Sequence, residues 1–138
     1  MNATFNLSNL PPAPDEFAAL RLSVDWKSPN LTMLRKSIAN SLFWISIYQK
    51  DKLVATGRVI GDGSMYFYIQ DVIVSPQFQR QKLGDEIMKH IEEYLTKTCV
   101  KGSTIGLLSA FGKEQFYQRY GYTARDGETL GLGMCKFL

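Results

Sequence analysis

The sequence predicts an α+β domain, a mixed and mostly antiparallel sheet of about six to seven strands flanked by about four helices. Three observations carry this. Between residues 42 and 74, three runs rich in β-branched and aromatic residues follow one another across short turns. Between 82 and 97, apolar residues recur at helical spacing with charges on the opposite side. Strand-like and helical segments are interspersed along 138 residues, a length that suits one domain spanning 1–138.

The elements follow in order. Residues 3–8 read as a short first strand, broken by Pro11, Pro12 and Pro14. Pro14 suits the first turn of a helix, Asp15 and Glu16 favour its positive end, and Phe17, Leu20 and Val24 share one face. Ser28-Pro29 reads as the cap and start of a second helix with Leu31, Leu34 and Ile38 as its stripe. "LFWISIYQ" (42–49) and "KLVATGRVI" (52–60) form a hairpin over the tight turn "KD". Gly57 within the second strand predicts a bulge or a close backbone approach. "SMYFYIQDVIV" (64–74) completes the meander, and the strong apolarity of all three strands predicts a sheet covered on both faces. The helix at 82–97 places Leu83, Ile87, Met88, Ile91, Tyr94 and Leu95 on one side. "STIGLLSA" (103–110) reads as another buried strand, and "KEQFYQRY" (113–120) as a short helix ended by Gly121. A terminal strand is expected near 131–138.

Composition excludes several functions. A net charge of +3 without any Lys/Arg block suits an anionic ligand but not a nucleic-acid surface. The aromatic run "MYFYIQ" could stack bases, but it lacks basic neighbours and reads as core. Two cysteines outside any CxxC pair and a single histidine leave no ordinary zinc ligand set, so no metal is expected. The thiols of Cys99 and Cys135 read as reduced, as in the cytoplasm. The first residues do not read as a signal peptide, and no apolar run is long enough to cross a membrane.

The chemistry concentrates in "DVIVSPQFQRQKLGDEIMKHIEEYL" (71–95). A strand ends at Ser75-Pro76, a polar turn follows, and a helix begins at Lys82 or Leu83. Gln79, Arg80 and Gln81 offer no short side-chain oxygen to cap that helix. A free helix N-terminus attracts phosphate, Gly84 permits close approach, and Arg80 and Lys82 add positive charge. The bland alternative is a helix start capped by water, with Asp85 and Glu86 serving only its dipole. A second feature is "FYQRYGY" (116–122), in which a tyrosine can either pack or protonate a leaving thiolate.

Together, in this order, the two features resemble the GNAT superfamily of acyl-coenzyme A-dependent N-acyltransferases. Its pyrophosphate pattern follows a strand and a V-x-P-like turn: Gln or Arg, two residues, Gly, one residue, then Gly or Ala. Here Val74, Pro76, Gln79 and Gly84 match, and Lys82 stands where the first glycine is usual. "FYQRYGY" is similar to the second signature, an aromatic pair before a basic residue and a Gly-aromatic. Glucosamine-6-phosphate N-acetyltransferases also carry a long residue at the Lys82 position, but Gln70 stands where they have a carboxylate.

The resemblance implies acetyl-CoA as cosubstrate, bound in a V-shaped splay between the strands at 64–74 and 103–110. The backbone of Ile73 and Val74 would hold the pantetheine arm. The amides of Gln79, Arg80, Gln81, Lys82, Leu83 and Gly84 would hold the pyrophosphate. An amide near Val74 would polarise the acyl carbonyl, and a neutral primary amine of a small molecule would attack directly. Tyr117 is the candidate general acid, with Tyr120 its rival and simple packing the alternative. The base is Asp71 or water, the alternative role for Asp71 being a structural partner at a sheet–helix junction. Strand alternation would put Gln70 and Asp71 on opposite faces. Other readings are a protein lysine or N-terminal acetyltransferase, a non-catalytic acyl-CoA sensor, and a generic phosphate binder, the last without GxGxxG or GxxxxGK motifs. The resemblance is also compatible with a homodimer.

Overall fold

The meander at the centre forms as its residues direct. β2 (Phe43–Gln49), β3 (Lys52–Gly61) and β4 (Tyr66–Val74) pair antiparallel in sequence order. β1 (Asn6–Ser8) adds to the outer side of β2, also antiparallel. α3 (Leu83–Thr98) carries the chain to β5 (Thr104–Leu107), giving a five-stranded sheet in the order β1-β2-β3-β4-β5. β5 begins where β4 begins: the Thr104 N–H donates to the Met65 carbonyl at 2.7 Å, and Ser103 Oγ to the Ser64 carbonyl at 2.9 Å. Two strands that start together after a helical crossover run parallel, so the sheet is mixed. This computed structural model describes residues 4–138, so Ala3 of the expected first strand lies outside them. Its contacts divide the chain into two compact units, Met1–Gly106 and Leu107–Leu138.

Helices cover both faces of the first unit. α1 (Pro14–Ser23) and α2 (Leu31–Ala39) lie on one side, where Phe17, Leu34, Ile38 and Trp44 form one buried cluster and Leu20, Leu53 and Ile73 another. α3 covers the other side with Leu83, Ile87, Met88, Ile91 and Leu95 buried and Tyr94 stacked on Phe43 at 4.6 Å. Gly57 explains the close fit, because a Cβ there would lie 2.5 Å from an Ile87 methyl. Among the described residues no helix is long and apolar enough to cross a membrane.

Three expectations are corrected. The second helix is not capped by Ser28: Asn30 is the extended N-cap residue, and its Oδ1 accepts the Met33 amide at 2.9 Å. β5 is four residues long and half-exposed, not a buried strand over 103–110. Residues 131–138 join no ladder, so among the described residues the sheet has five strands and not six or seven. A strand needs a partner as well as a propensity, and that segment pairs with no strand among the described residues.

Candidate active site

β4 is broken where the chemistry was expected. Thr56 faces Ile73 and Arg58 faces Gln70, so Asp71 and Val72 together oppose Gly57. This is a β-bulge, and Asp71 adopts the left-handed conformation with φ of 54°. The bulge overturns the alternation argument for Gln70 and Asp71. Gln70 lies opposite Arg58, and the Asp71 carboxylate itself bonds Arg58, so both turn to the α1–α2 side.

The Asp71 side chain has no exposed surface. Oδ2 accepts from Arg58 Nε at 2.9 Å and Nη2 at 2.8 Å, and Oδ1 accepts from Arg21 Nη1. Each guanidinium is held further. Arg21 reaches Ser28 Oγ and the Lys27 carbonyl, both at 3.0 Å. Arg58 Nη1 reaches Ser37 Oγ and Ser41 Oγ, both at 3.0 Å, and its guanidinium lies 5.2 Å from the Trp44 ring centre. Both oxygens of this buried carboxylate are taken by guanidinium groups, so neither is turned to a substrate. Its position ties α1, α2 and β3 to the bulge of β4. Arg21 and Arg58 were missed in the sequence. The signal was there for Arg58, a lone charge inside an apolar ten-residue strand that has to be buried and paired.

Beyond the bulge, β4 turns one backbone group outward. The Ser75 N–H donates to the Val54 carbonyl at 2.8 Å. Antiparallel alternation then commits Ile73 to β3 through Thr56 and points the Val74 amide away from β3. β5 ends after four residues while β4 runs nine, so the last part of β4 outlasts its parallel neighbour. Of the two residues expected to offer backbone to a ligand, Val74 is the one left open. Its carbonyl accepts from Gln79 Nε2 at 3.1 Å.

A single 3₁₀ turn (Pro76–Phe78) then leads to the start of α3. Lys82 is the N-cap residue, with φ of 63° and ψ of 22°, and its side chain makes no capping hydrogen bond. Arg80 is left-handed too, at φ of 65°. A left-handed residue followed by right-handed ones turns consecutive N–H groups toward one point and forms an anion-binding concavity. This explains why glycine suits the Lys82 position: the backbone there is in the region glycine enters freely. Arg80, Gln81 and Lys82 are exposed, Leu83 is buried and anchors the turn, and Gly84 is half-buried. Among the described residues no three of His, Cys, Asp and Glu gather to hold a metal ion.

In the second unit, α4 (Glu114–Gln118) carries Tyr117 and ends before Gly121, which has φ of 91°. Phe116 packs edge-on against Tyr117 at 5.0 Å and Tyr120 at 5.6 Å. Arg119 lies 5.4 Å from the Phe116 ring centre. Burial pushes the Tyr117 phenol up to about 12.

An open amide at the end of β4 and an uncapped, cationic helix start form one continuous stretch from 74 to 84. The acetyltransferase (GNAT) domain model matches residues 24–136. The chain belongs to the GNAT acetyltransferase family. It is 28% identical to a structure from methicillin-resistant Staphylococcus aureus, described as a protein of unknown function and probable acetyltransferase. That likeness has a TM-score of 0.88 and covers 97% of this chain and 100% of that one. Among curated relatives, it is 32% identical over 67% of its length, and 46% of the other's, to a chloroplastic GCN5-related N-acetyltransferase of Arabidopsis thaliana. It is 29% identical to an uncharacterised N-acetyltransferase of Prochlorococcus marinus, over 78% of this chain and 61% of that one. The chain thus spans at most about three fifths of the curated relatives' length. The fold alone is shared with the glucosamine-6-phosphate N-acetyltransferase of A. thaliana, at 16% identity and a TM-score of 0.69 over 97% of this chain and 98% of that one.

Proposed function

We propose that this GNAT protein transfers an acetyl group from acetyl-CoA to a primary amine of a small molecule, by direct attack in a ternary complex. The observation that carries the reading is the start of α3, a left-handed, uncapped turn flanked by two exposed cations. The amides from Gln79 to Gly84 hold the pyrophosphate, with Arg80 and Lys82 adding charge. The Val74 backbone takes the pantetheine arm and polarises the acyl carbonyl. In the transfer the amine nitrogen bonds the acyl carbon, the carbon–sulfur bond breaks, and the thiolate takes a proton from Tyr117. The proton released by the amine passes to water. Asp71 takes no part in proton transfer in this reading. It fixes the bulge that precedes Val74, the structural alternative weighed for it above.

Tyr117→Phe tests the acid role. Loss of a general acid lowers kcat by about 100-fold or more, with KM for acetyl-CoA little changed. Unchanged turnover across a panel of amines removes Tyr117 from the mechanism. The raised phenol also sets a pH expectation. The active form is the protonated one, so its share is constant until pH approaches about 12. A kcat profile should therefore show no alkaline loss attributable to Tyr117 near 10, the ordinary tyrosine value.

A further inference from the structure

We infer that the cleft between α1 and the start of β3 binds a free aliphatic amino acid, held as its zwitterion between Glu16 and Lys52. The cleft measures about 260 Å³. Glu16, Leu20 and Ser23 of α1 line it, with Lys52 and Leu53 of β3 and Ser75 just past β4. All six belong to the first unit. That volume falls below the roughly 300–1,000 Å³ of sites for drug-sized ligands, which suits a ligand as small as one amino acid. Leu20 and Leu53 are buried in one apolar cluster with Ile73 and make the floor.

The two charges decide the class of ligand. Glu16 and Lys52 stand on different elements, and among the described residues neither forms a salt bridge with the other or with a third group. Glu16 is half-buried and its charge acts inward: burial, and then Glu16, push up the phenol of Tyr48, which packs on the same cluster. A simple anion or cation in the cleft would meet a like charge on one wall. A molecule that carries both charges satisfies both walls and lays its aliphatic part on the leucines. The hydroxyls agree with this division. Ser23 Oγ donates to the Leu20 carbonyl at 2.6 Å, which leaves its lone pairs for an ammonium beside Glu16. Alternation puts Ser75 on the Ile73 face of its strand, where its hydroxyl can donate to a carboxylate beside Lys52. The cleft lies on the β3 side, whereas the Val74 amide points away from β3. Its occupant is therefore a second ligand and not the amine under transfer, and the inference stands apart from the transfer reaction.

Amide nuclear magnetic resonance spectra of the ¹⁵N-labelled full chain, with no acyl donor present, test this by titration with L-leucine to roughly 20 mM. The Leu20, Leu53 and Ser75 resonances should shift and saturate. Isocaproate, which lacks the ammonium, and isoamylamine, which lacks the carboxylate, should bind about fivefold more weakly or worse. Glu16→Gln should abolish the preference for leucine over isocaproate, and Lys52→Gln the preference over isoamylamine. Neither side chain belongs to the core, so both variants should keep the wild-type far-ultraviolet spectrum. Absence of a saturable shift at those three residues overturns the inference. Equal binding of leucine and either fragment, or a preference that survives both substitutions, overturns it as well.

Discussion

Two helices of this molecule begin in opposite ways. α2 opens on Asn30, whose side chain accepts the Met33 amide and closes the helix end. α3 opens on Lys82, whose backbone is left-handed and whose side chain makes no cap. The first arrangement contributes about 1 kcal/mol. The second costs about 1–2 kcal/mol in the backbone of a non-glycine residue. The stable start sits where the chain needs only a helix. The strained one follows β4, its bulge and its open Val74 amide. Local stability was given up at the end of the chain's longest described helix, where free N–H groups can meet a phosphate.

Each side of this contrast can be broken separately. The largest effect should come from Asp71→Ala, which leaves the Arg21 and Arg58 charges buried without their carboxylate. The loss should be about 3–5 kcal/mol by urea denaturation. A loss below about 1 kcal/mol would mean that the bulge is held by something else. Asn30→Ala should cost about 1 kcal/mol in the same assay and leave coenzyme A affinity unchanged, since that helix end is closed by its own side chain. Lys82→Gly should act in the opposite direction, raising stability by about 0.5–1 kcal/mol as the left-handed strain is relieved. Its amide remains, so coenzyme A affinity should fall by no more than about threefold, the scale of one exposed charge near a helix end. A larger fall would make the lysine charge, and not the backbone, the working part.

The sequence showed the helical half of this contrast better than the sheet half. The missing cap of α3 could be read because short capping side chains are absent from 79–82. The left-handed backbone of Lys82 could be inferred only from the glycine usual there, since lysine itself carries no such signal. At β4, period-two reasoning failed because a bulge shifts register without any composition change. The pairing of Arg21 with Asp71 joins residues fifty positions apart, and no local pattern reports it. The strand near 131–138 failed differently. Its alternation is present, but a ladder depends on a partner strand that residues 131–138 cannot specify.

The central claim is that the amides opening α3 receive the pyrophosphate of coenzyme A. Amide nuclear magnetic resonance spectra of the ¹⁵N-labelled protein, recorded during titration with coenzyme A and separately with pantetheine, test it directly. Coenzyme A should move the resonances of Gln79 to Gly84 most. Pantetheine, which lacks the pyrophosphate, should move Val74 and its neighbours but leave 79–84 in place. Saturable coenzyme A binding that leaves 79–84 unmoved, or no binding at millimolar ligand, would contradict the account.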